Sequence, residues 1–384
     1  MGPLQGIRVL EIAAIGPVPM CGTLLADLGA DVVRVDRLEP SGLGVPVERR
    51  FEVLGRSRRS IAIDLKRAEG IATLLRLVDG ADVLLEGFRP GVTERLGFGP
   101  EACHARNARL VYGRRTGFGP TGPLAHAAGH DLNYIALAGA LDAIGPAGGK
   151  PTVPLNLVGD FGGGALYLAM GVLAALVERG VSGRGQVIDA AMVDGAASLA
   201  SMFFGLVAAG EWSGARGTNL LDGGAPFYDT YETADGRHVA LGAIEPKFHA
   251  ELAAALGLDR RYVEGQYDRR LWPEMRQAIA QAVRQRTRAD WCERLEGSDA
   301  CFAPVLGFAE AAAHRHAKAR DAFVTIDGVV QPAPAPRFSR SKTQPPRSAP
   351  QPGEHTDEVL AEAGIDAAEC RRLREAGVVA GVSG

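Results

Sequence analysis

Five short apolar runs in the N-terminal third of the chain, alternating with stretches of helical character, constrain its fold more than any other feature. "IRVLEI" precedes "TLLADLGAD" and then "VVRVD"; the rhythm returns with "SIAIDL", "GIATLLRLVDGAD" and "VLLEGF", and once more with "RLVYGR". Runs of this length rich in Val, Ile and Leu read as strands, and the longer amphipathic stretches between them as helices. Strands alternating with helices predict an α/β domain, a Rossmann-like, doubly wound parallel sheet whose ligands sit beyond the carboxyl ends of the strands. The loops after Ile12, Val35 and Gly87 therefore matter most. A dinucleotide is disfavoured, because the first strand runs into "AAIGPVPMCG" without a G-x-G-x-x-G turn.

The style changes further along. "VIDAAMVDGAASLASMFFGLVAA" reads as a strand and then a helix rich in small residues, suited to close packing, and "GEWSGARGTNLLDGGAP" as a long linker. In "FYDTYETADGRHVALGAI" two strand-like runs flank Asp235-Gly236, a strong hairpin signal. The proline-rich stretch from Gln331 to Pro352 cannot hold a helix and predicts an extended strap. "TDEVLAEAG" after it reads as a short helix with a threonine N-cap. The expected division is a large α/β domain over 1–190 and 331–384, a linker helix and loop over 191–224, and a small α+β domain over 225–330.

Composition narrows the function classes. A net charge of −3 over 384 residues argues against a nucleic-acid binder. Five scattered cysteines without C-x-x-C spacing favour neither a disulfide framework nor a structural zinc, and point to a reducing cytoplasm. The N-terminus lacks the pattern of a secretory signal. "ALYLAMGVLAALV", 165–177, is shorter than a spanning helix needs and reads as a buried helix, so no membrane partner is expected.

Three ionisable residues stand among apolar or glycine neighbours: His130 in "AGHDLNY", Asp160 in "NLVGDFGGGALYL" and Glu245 in "LGAIEPKF". Each has a structural explanation as well as a chemical one. His130 fits a satisfied core histidine, Asp160 a helix cap, and Glu245 a favourable charge ahead of Pro246 at a helix start. The three glycines after Asp160 would let a ligand approach the backbone, and helix-start N–H groups could face an oxyanion. Arg37, Arg56, Arg58, Arg59, Lys66, Arg89 and Arg95 fall at or near predicted strand ends. Singly they read as surface charges; converging, they would suit a ligand bearing phosphates.

Several longer segments carry a resemblance: "GIRVLEIAAIGPVP", "LADLGADVVRVDR", "VLLEGFRPGVTERLG", "TGPLAHAAGHDLNY", "PLNLVGDFGGG", "GQVIDAAMVDG", "DGGAPFYDTYETADGRHVALGAIEPKF" and "APAPRFSR". Across almost its full length the chain resembles the family III CoA-transferases, and among them most the bacterial α-methylacyl-CoA racemases. The resemblance implies that His130 and Asp160 are the two proton-transfer residues and that Glu245 hydrogen-bonds and orients the histidine. It implies coenzyme A contacts at Ile15, Arg37, Lys66, Gly87, Arg89 and Arg95, with Tyr134 and Asp131 beside the acyl thioester; a supporting role fits Asp131 equally well. It further implies an interlocked homodimer, with Glu245 reaching the site from the partner subunit.

On these terms the chain would interconvert the epimers of 2-methylacyl-CoA thioesters, one base on each side of the α carbon, with acyl-CoA as substrate and no metal or further cofactor. The rival with the same fold is a CoA-transferase in which Asp160 is the nucleophile that forms an acyl anhydride. Transferases resembled here tend to carry a glycine-rich loop where this chain has "GAIEPKF", which favours the racemase. "YGRRTGFGPTGP" places Arg115 and Phe118 where such racemases often have methionine and tryptophan, next to the expected acyl pocket.

Overall fold

The computed structural model describes residues 2–39 and 42–382. The chain divides into two compact units, residues 1–138, 155–199 and 318–384 forming the first, and 139–154 with 200–317 the second. These boundaries differ from those expected at three places, the first being the stretch expected as a linker, 191–224, which is divided after Leu199. Residues 139–154 join the second unit, where Arg216 donates to the carbonyls of Asp142 at 2.6 Å and Gly149 at 2.7 Å. The hairpin formed by Phe323–Ile326 and Val329–Pro332 joins the first, where Arg56 donates to Gln331 at 2.9 Å and to the Pro332 carbonyl at 2.7 Å.

In the first unit β1 (Arg8–Ile12), β2 (Asp31–Asp36), β3 (Arg59–Ile63), β4 (Val83–Glu86), β5 (Val111–Thr116) and β6 (Val187–Ala191) form one parallel sheet in the order β3-β2-β1-β4-β5-β6. The C-terminal strand Val379–Ala380 pairs antiparallel with β3 and closes that edge. The sheet is covered on both faces, so its strands are apolar at successive positions rather than alternate ones. Leu10, Val33, Leu84 and Tyr112 enter one core, with the helix Ala68–Asp79 and the C-terminal helices. Their neighbours Val9, Val32, Leu85 and Val111 enter the other, against Pro17–Asp27 and Tyr167–Ser182. The strand order reverses between β1 and β4, the position where such sheets open a crevice for ligands.

Tyr167–Ser182 was expected to be buried and is so on one stripe only, through Leu168, Ala169, Val172, Ala175 and Arg179. Leu166, Met170, Val177 and Val181 are exposed on its other side. With the preceding turns it makes a helical run, Leu157–Ser182, long and apolar enough by length and composition to cross a membrane.

The three glycines after Asp160 serve packing rather than ligand access. A Cβ at Gly163 would lie 2.6 Å from the backbone nitrogen of Ala196, and one at Gly195 would lie 2.0 Å from the Gly163 carbonyl oxygen. Gly162 abuts Leu199 and Gly164 abuts Met192 in the same way. The segment thus lies backbone to backbone against the helix Met192–Leu199. Gly195→Ala is expected to destabilise the protein by about 1–3 kcal/mol through overpacking, read as a lowered denaturant midpoint with unchanged slope.

In the short helix Thr356–Glu362, Thr356 is the first helical residue, not the cap. Its hydroxyl donates to the Ala380 carbonyl at 2.6 Å and ties the helix to the C-terminal strand, leaving His355 in the capping position. The proline-rich strap has no helix; its Arg347 exchanges hydrogen bonds with Ser57 at 2.9 and 3.0 Å.

The second unit contains the expected hairpin, β7 (Tyr228–Glu232) and β8 (His238–Gly242), with Gly236 at φ +69° in the turn and β9 (Phe302–Pro304) added antiparallel to β8. Phe227, Trp272, Met275, Ile279 and Trp291 form its core with helices Pro246–Leu256, Trp272–Val283 and Arg288–Leu295. The expected linker before it is an organised loop: the Asp222 carboxylate accepts from the backbone N–H groups of Gly217, Asn219 and Gly224 at 2.8, 2.8 and 3.1 Å.

Candidate active site

The parallel sheet gathers most of the candidate residues beyond the carboxyl ends of its strands. Ile15 lies after β1, Arg37 after β2, Lys66 after β3, and Gly87 and Arg89 after β4, with Arg95 in the short helix Val92–Leu96 just beyond. Arg37, Lys66, Arg89 and Arg95 are exposed, and among the described residues their side chains make no ion pair or hydrogen bond. Arg56, Arg58 and Arg59 differ, being consumed inside the fold. Arg56 pairs with Asp27 at 2.5 Å, Arg58 with Glu11 at 2.8 Å, and Arg59 with Asp31, Glu358 and Glu362 at 2.6–2.8 Å. The four remaining cations are available to an anionic ligand along this edge.

Between β4 and β5 the edge opens into a cavity of about 190 Å³ lined by Gly87, Arg89, Arg115, Phe118, His130 and Tyr134 among others. Two glycines shape it. A Cβ at Gly117 would lie 2.6 Å from Tyr134 Oη, and one at Gly129 would lie 3.0 Å from the Phe118 ring. Only glycine lets the chain pass so close to these rings. The Phe118 and Tyr134 rings meet edge to face at 4.9 Å, and Tyr134 Oη donates to the Gly129 carbonyl. Burial raises the Tyr134 pKa, opposed by the charge of Arg115.

His130 precedes the helix Asp131–Leu137 in extended conformation, and its backbone N–H donates to Asn133 Oδ1 at 3.0 Å. Its side chain is exposed, not a core histidine, and among the described residues the imidazole has no hydrogen-bond partner. Asp131 behind it is buried and accepts the backbone N–H of Asp160 at 2.5 Å, fixing the Asp160 segment to the His130 segment. Burial raises the Asp131 pKa, while hydrogen bonds from the N–H groups of Asp160 and Gly159 act against that rise. Asp131 thus holds two of the N–H groups at the start of the glycine-rich helix, those of Gly159 and Asp160. Asp131→Ala strands those N–H groups and is expected to cost about 1–3 kcal/mol, read by denaturant titration.

Asp160 sits in the first turn of a wide helical segment, Leu157–Leu166, in which the N–H of Phe161 reaches back five residues to the Asn156 carbonyl at 3.4 Å. Such π-type turns occur often at functional sites. Asn156 Nδ2 donates to Asp160 Oδ2 at 3.1 Å, and Gly16, at φ +71°, lies beside the same carboxylate: a Cβ there would be 3.2 Å from Oδ2. Neither Asn156 nor Gly16 was singled out in the sequence. Asn156, four residues before Asp160 on one helical turn, carried the signal that could have found it.

Glu245 belongs to the second unit, where it is exposed immediately before the helix Pro246–Leu256. Its carboxylate makes no hydrogen bond or ion pair among the described residues. Among the described residues no cluster of His, Cys, Asp and Glu has the makings of a metal site, and all five cysteines are free.

Comparison with known proteins covers the whole chain. The description of CoA-transferase family III matches residues 4–356. The chain is 47% identical to α-methylacyl-CoA racemase of Mus musculus over 379 residues, 98% of this chain and 97% of that protein. It is 46% identical to α-methylacyl-CoA racemase of Homo sapiens over 372 residues, 96% of each chain. A solved CAIB/BAIF family protein from Brucella suis superposes with a TM-score of 0.81 at 28% identity, over 94% of this chain and 99% of that one.

Proposed function

Because the chain belongs to CoA-transferase family III, we infer that it is an acyl-CoA isomerase that racemises the (R) and (S) epimers of 2-methylacyl-CoA thioesters. Whole-length similarity to the two mammalian racemases carries this reading. The chain supplies residues for each task. Arg37, Lys66, Arg89 and Arg95 offer unneutralised positive charge for the phosphates of coenzyme A, and Ile15 and Gly87 border the loops where its thiol arm enters. Tyr134 and Phe118 wall the acyl end.

Inversion at the α carbon needs one group to remove the weakly acidic proton on one face and another to deliver a proton on the opposite face. Asp160 and His130 take these roles, starting in opposite protonation states and exchanging them with each turnover. The scheme needs neither metal nor redox cofactor, because the thioester itself acidifies the α proton. Among the described residues the His130 imidazole and the Glu245 carboxylate have no hydrogen-bond partner, which suits a hydrogen bond formed between subunits. We assign that bond to an interlocked homodimer, in which Glu245 of the partner subunit fixes the tautomer of His130. The exposed apolar residues Leu166, Met170, Val177 and Val181 are further surface such an assembly would cover.

Incubation of one epimer in D₂O tests the activity. Deuterium should enter the α position as configuration is lost. Transfer of CoA to a free carboxylate without α-deuteration would establish the transferase instead.

A further inference from the structure

Two consecutive arginines on β5 have opposite fates. Arg114 points to one face of the sheet, where its Nε donates to Glu86 at 2.9 Å and its Nη2 to Glu94 at 2.7 Å and Thr93 at 3.1 Å. Arg115, on the other face by the alternation of a strand, has nothing. Among the described residues its Nε is buried without a hydrogen-bond partner, none of its other N–H groups is bonded, and no carboxylate lies within ion-pair distance. Its guanidinium borders the cavity that holds His130, Arg89 and Tyr134, and a Cβ at Gly87 would lie 3.3 Å from its Nη2. Asp160 and Tyr134 are near enough for their charges to act on it, while burial disfavours its charged form.

A fold gains little from a largely buried guanidinium whose Nε is shut away from solvent without an acceptor, so such a group is retained for something that arrives. At the start of the glycine-rich helix the N–H groups of Gly159 and Asp160 are held by Asp131. Building on the racemase reading, we propose that Arg115 is a catalytic electrophile: its guanidinium donates to the thioester oxygen as that oxygen becomes an enolate. When Asp160 takes the α proton, the C–H pair forms the Cα=C bond and the carbonyl π pair moves onto oxygen, where Arg115 meets it. When His130 returns a proton to the opposite face, that pair restores the carbonyl, leaving Asp160 protonated and His130 neutral.

The test compares wild type, Arg115→Met and Arg115→Lys on 2-methylpentanoyl-CoA and on its length-matched analogue 4-carboxy-2-methylbutanoyl-CoA, following racemisation and α-deuteration. Arg115→Met should lower kcat by about 10²–10³-fold on both substrates, with little change in KM. Arg115→Lys should recover part of that loss. Because the arginine has no side-chain partner among the described residues, the melting temperature of Arg115→Met should stay level or rise, whereas a structural role would lower it. Should Arg115→Met fail to fold, that alone would assign the residue to stability and overturn the proposal. A loss confined to the carboxylated substrate would make Arg115 a binder of a tail carboxylate, and unchanged kcat on both would leave it no role in turnover; each overturns the proposal while wild-type α-deuteration still upholds the racemase. Absence of α-deuteration in wild type, with CoA transfer, sinks the racemase reading itself.

Discussion

Replacing His130 by alanine is expected to lower racemisation by on the order of 10²–10⁴-fold while leaving the fold and coenzyme A binding intact. The side chain is exposed and its imidazole bonds to nothing among the described residues, so its removal breaks no internal contact, and the stability change should stay within about 0.5 kcal/mol. The sharper readout is directional. With His130 gone, Asp160 still faces one side of the α carbon and can exchange its own proton with solvent. One epimer should therefore acquire deuterium with retention of configuration, while the other stays unlabelled. Labelling of both epimers in the variant, or racemisation at wild-type rate, would remove His130 from the two-base scheme.

The second large effect concerns stability. Arg58 and Glu11 form an ion pair with both side chains fully buried, the guanidinium donating from Nε at 3.1 Å and Nη2 at 2.8 Å, and also to Thr23 and to the Arg56 carbonyl at 3.0 Å each. Among the described residues Glu11 Oε1 already has no hydrogen-bond partner. Arg58→Met leaves an uncompensated carboxyl in the sheet core and is expected to cost about 3–5 kcal/mol. Adding Glu11→Leu should return most of that, because a matched apolar pair leaves no stranded charge.

The pH dependence of the single variant follows from the same burial. Burial raises the Glu11 pKa above its ordinary 4.5, against the pull of Arg58, and without Arg58 that rise is larger. A carboxyl whose folded pKa exceeds its unfolded one holds its full contribution below the unfolded value and loses it as pH rises through the folded one. Arg58→Met should therefore be closest to wild type at and below about pH 4.5 and fall progressively behind toward neutrality. Equal destabilisation at both ends of that window, measured by thermal melts, would mean that Glu11 stays ionised without its partner.

The sheet was legible because its signals are local. "IRVLEI", "SIAIDL" and "VLLEGF" each hold enough branched residues to mark a strand, and the parallel pairing follows from the helices between them. Likewise Asp235-Gly236 carries the β7–β8 turn in two residues. The arginines were not separable in this way. Arg59 and Arg89 look alike in sequence, yet Arg59 is spent on Asp31, 28 residues away, and Glu362, 303 away, and no local pattern reveals such partners. The glycines after Asp160 misled for the complementary reason: a missing side chain marks a close approach without saying of what. Here the visitor is Gly195, distant in sequence and itself bare. Arg115 shows the limit most clearly, since its significance lies in the lack of partners, which only a folded chain can display.

The antiparallel strand Val379–Ala380 has a further consequence for how the molecule comes into being. It is the piece that covers β3, yet it is synthesised roughly 300 residues later. At about 5–20 residues per second, the nascent chain carries an open strand edge for roughly 15–60 s on the ribosome. An uncovered edge is a template for pairing with other chains. Loss of the pairing made by Val379 and Ala380 would therefore harm yield from translation before it harmed the finished enzyme.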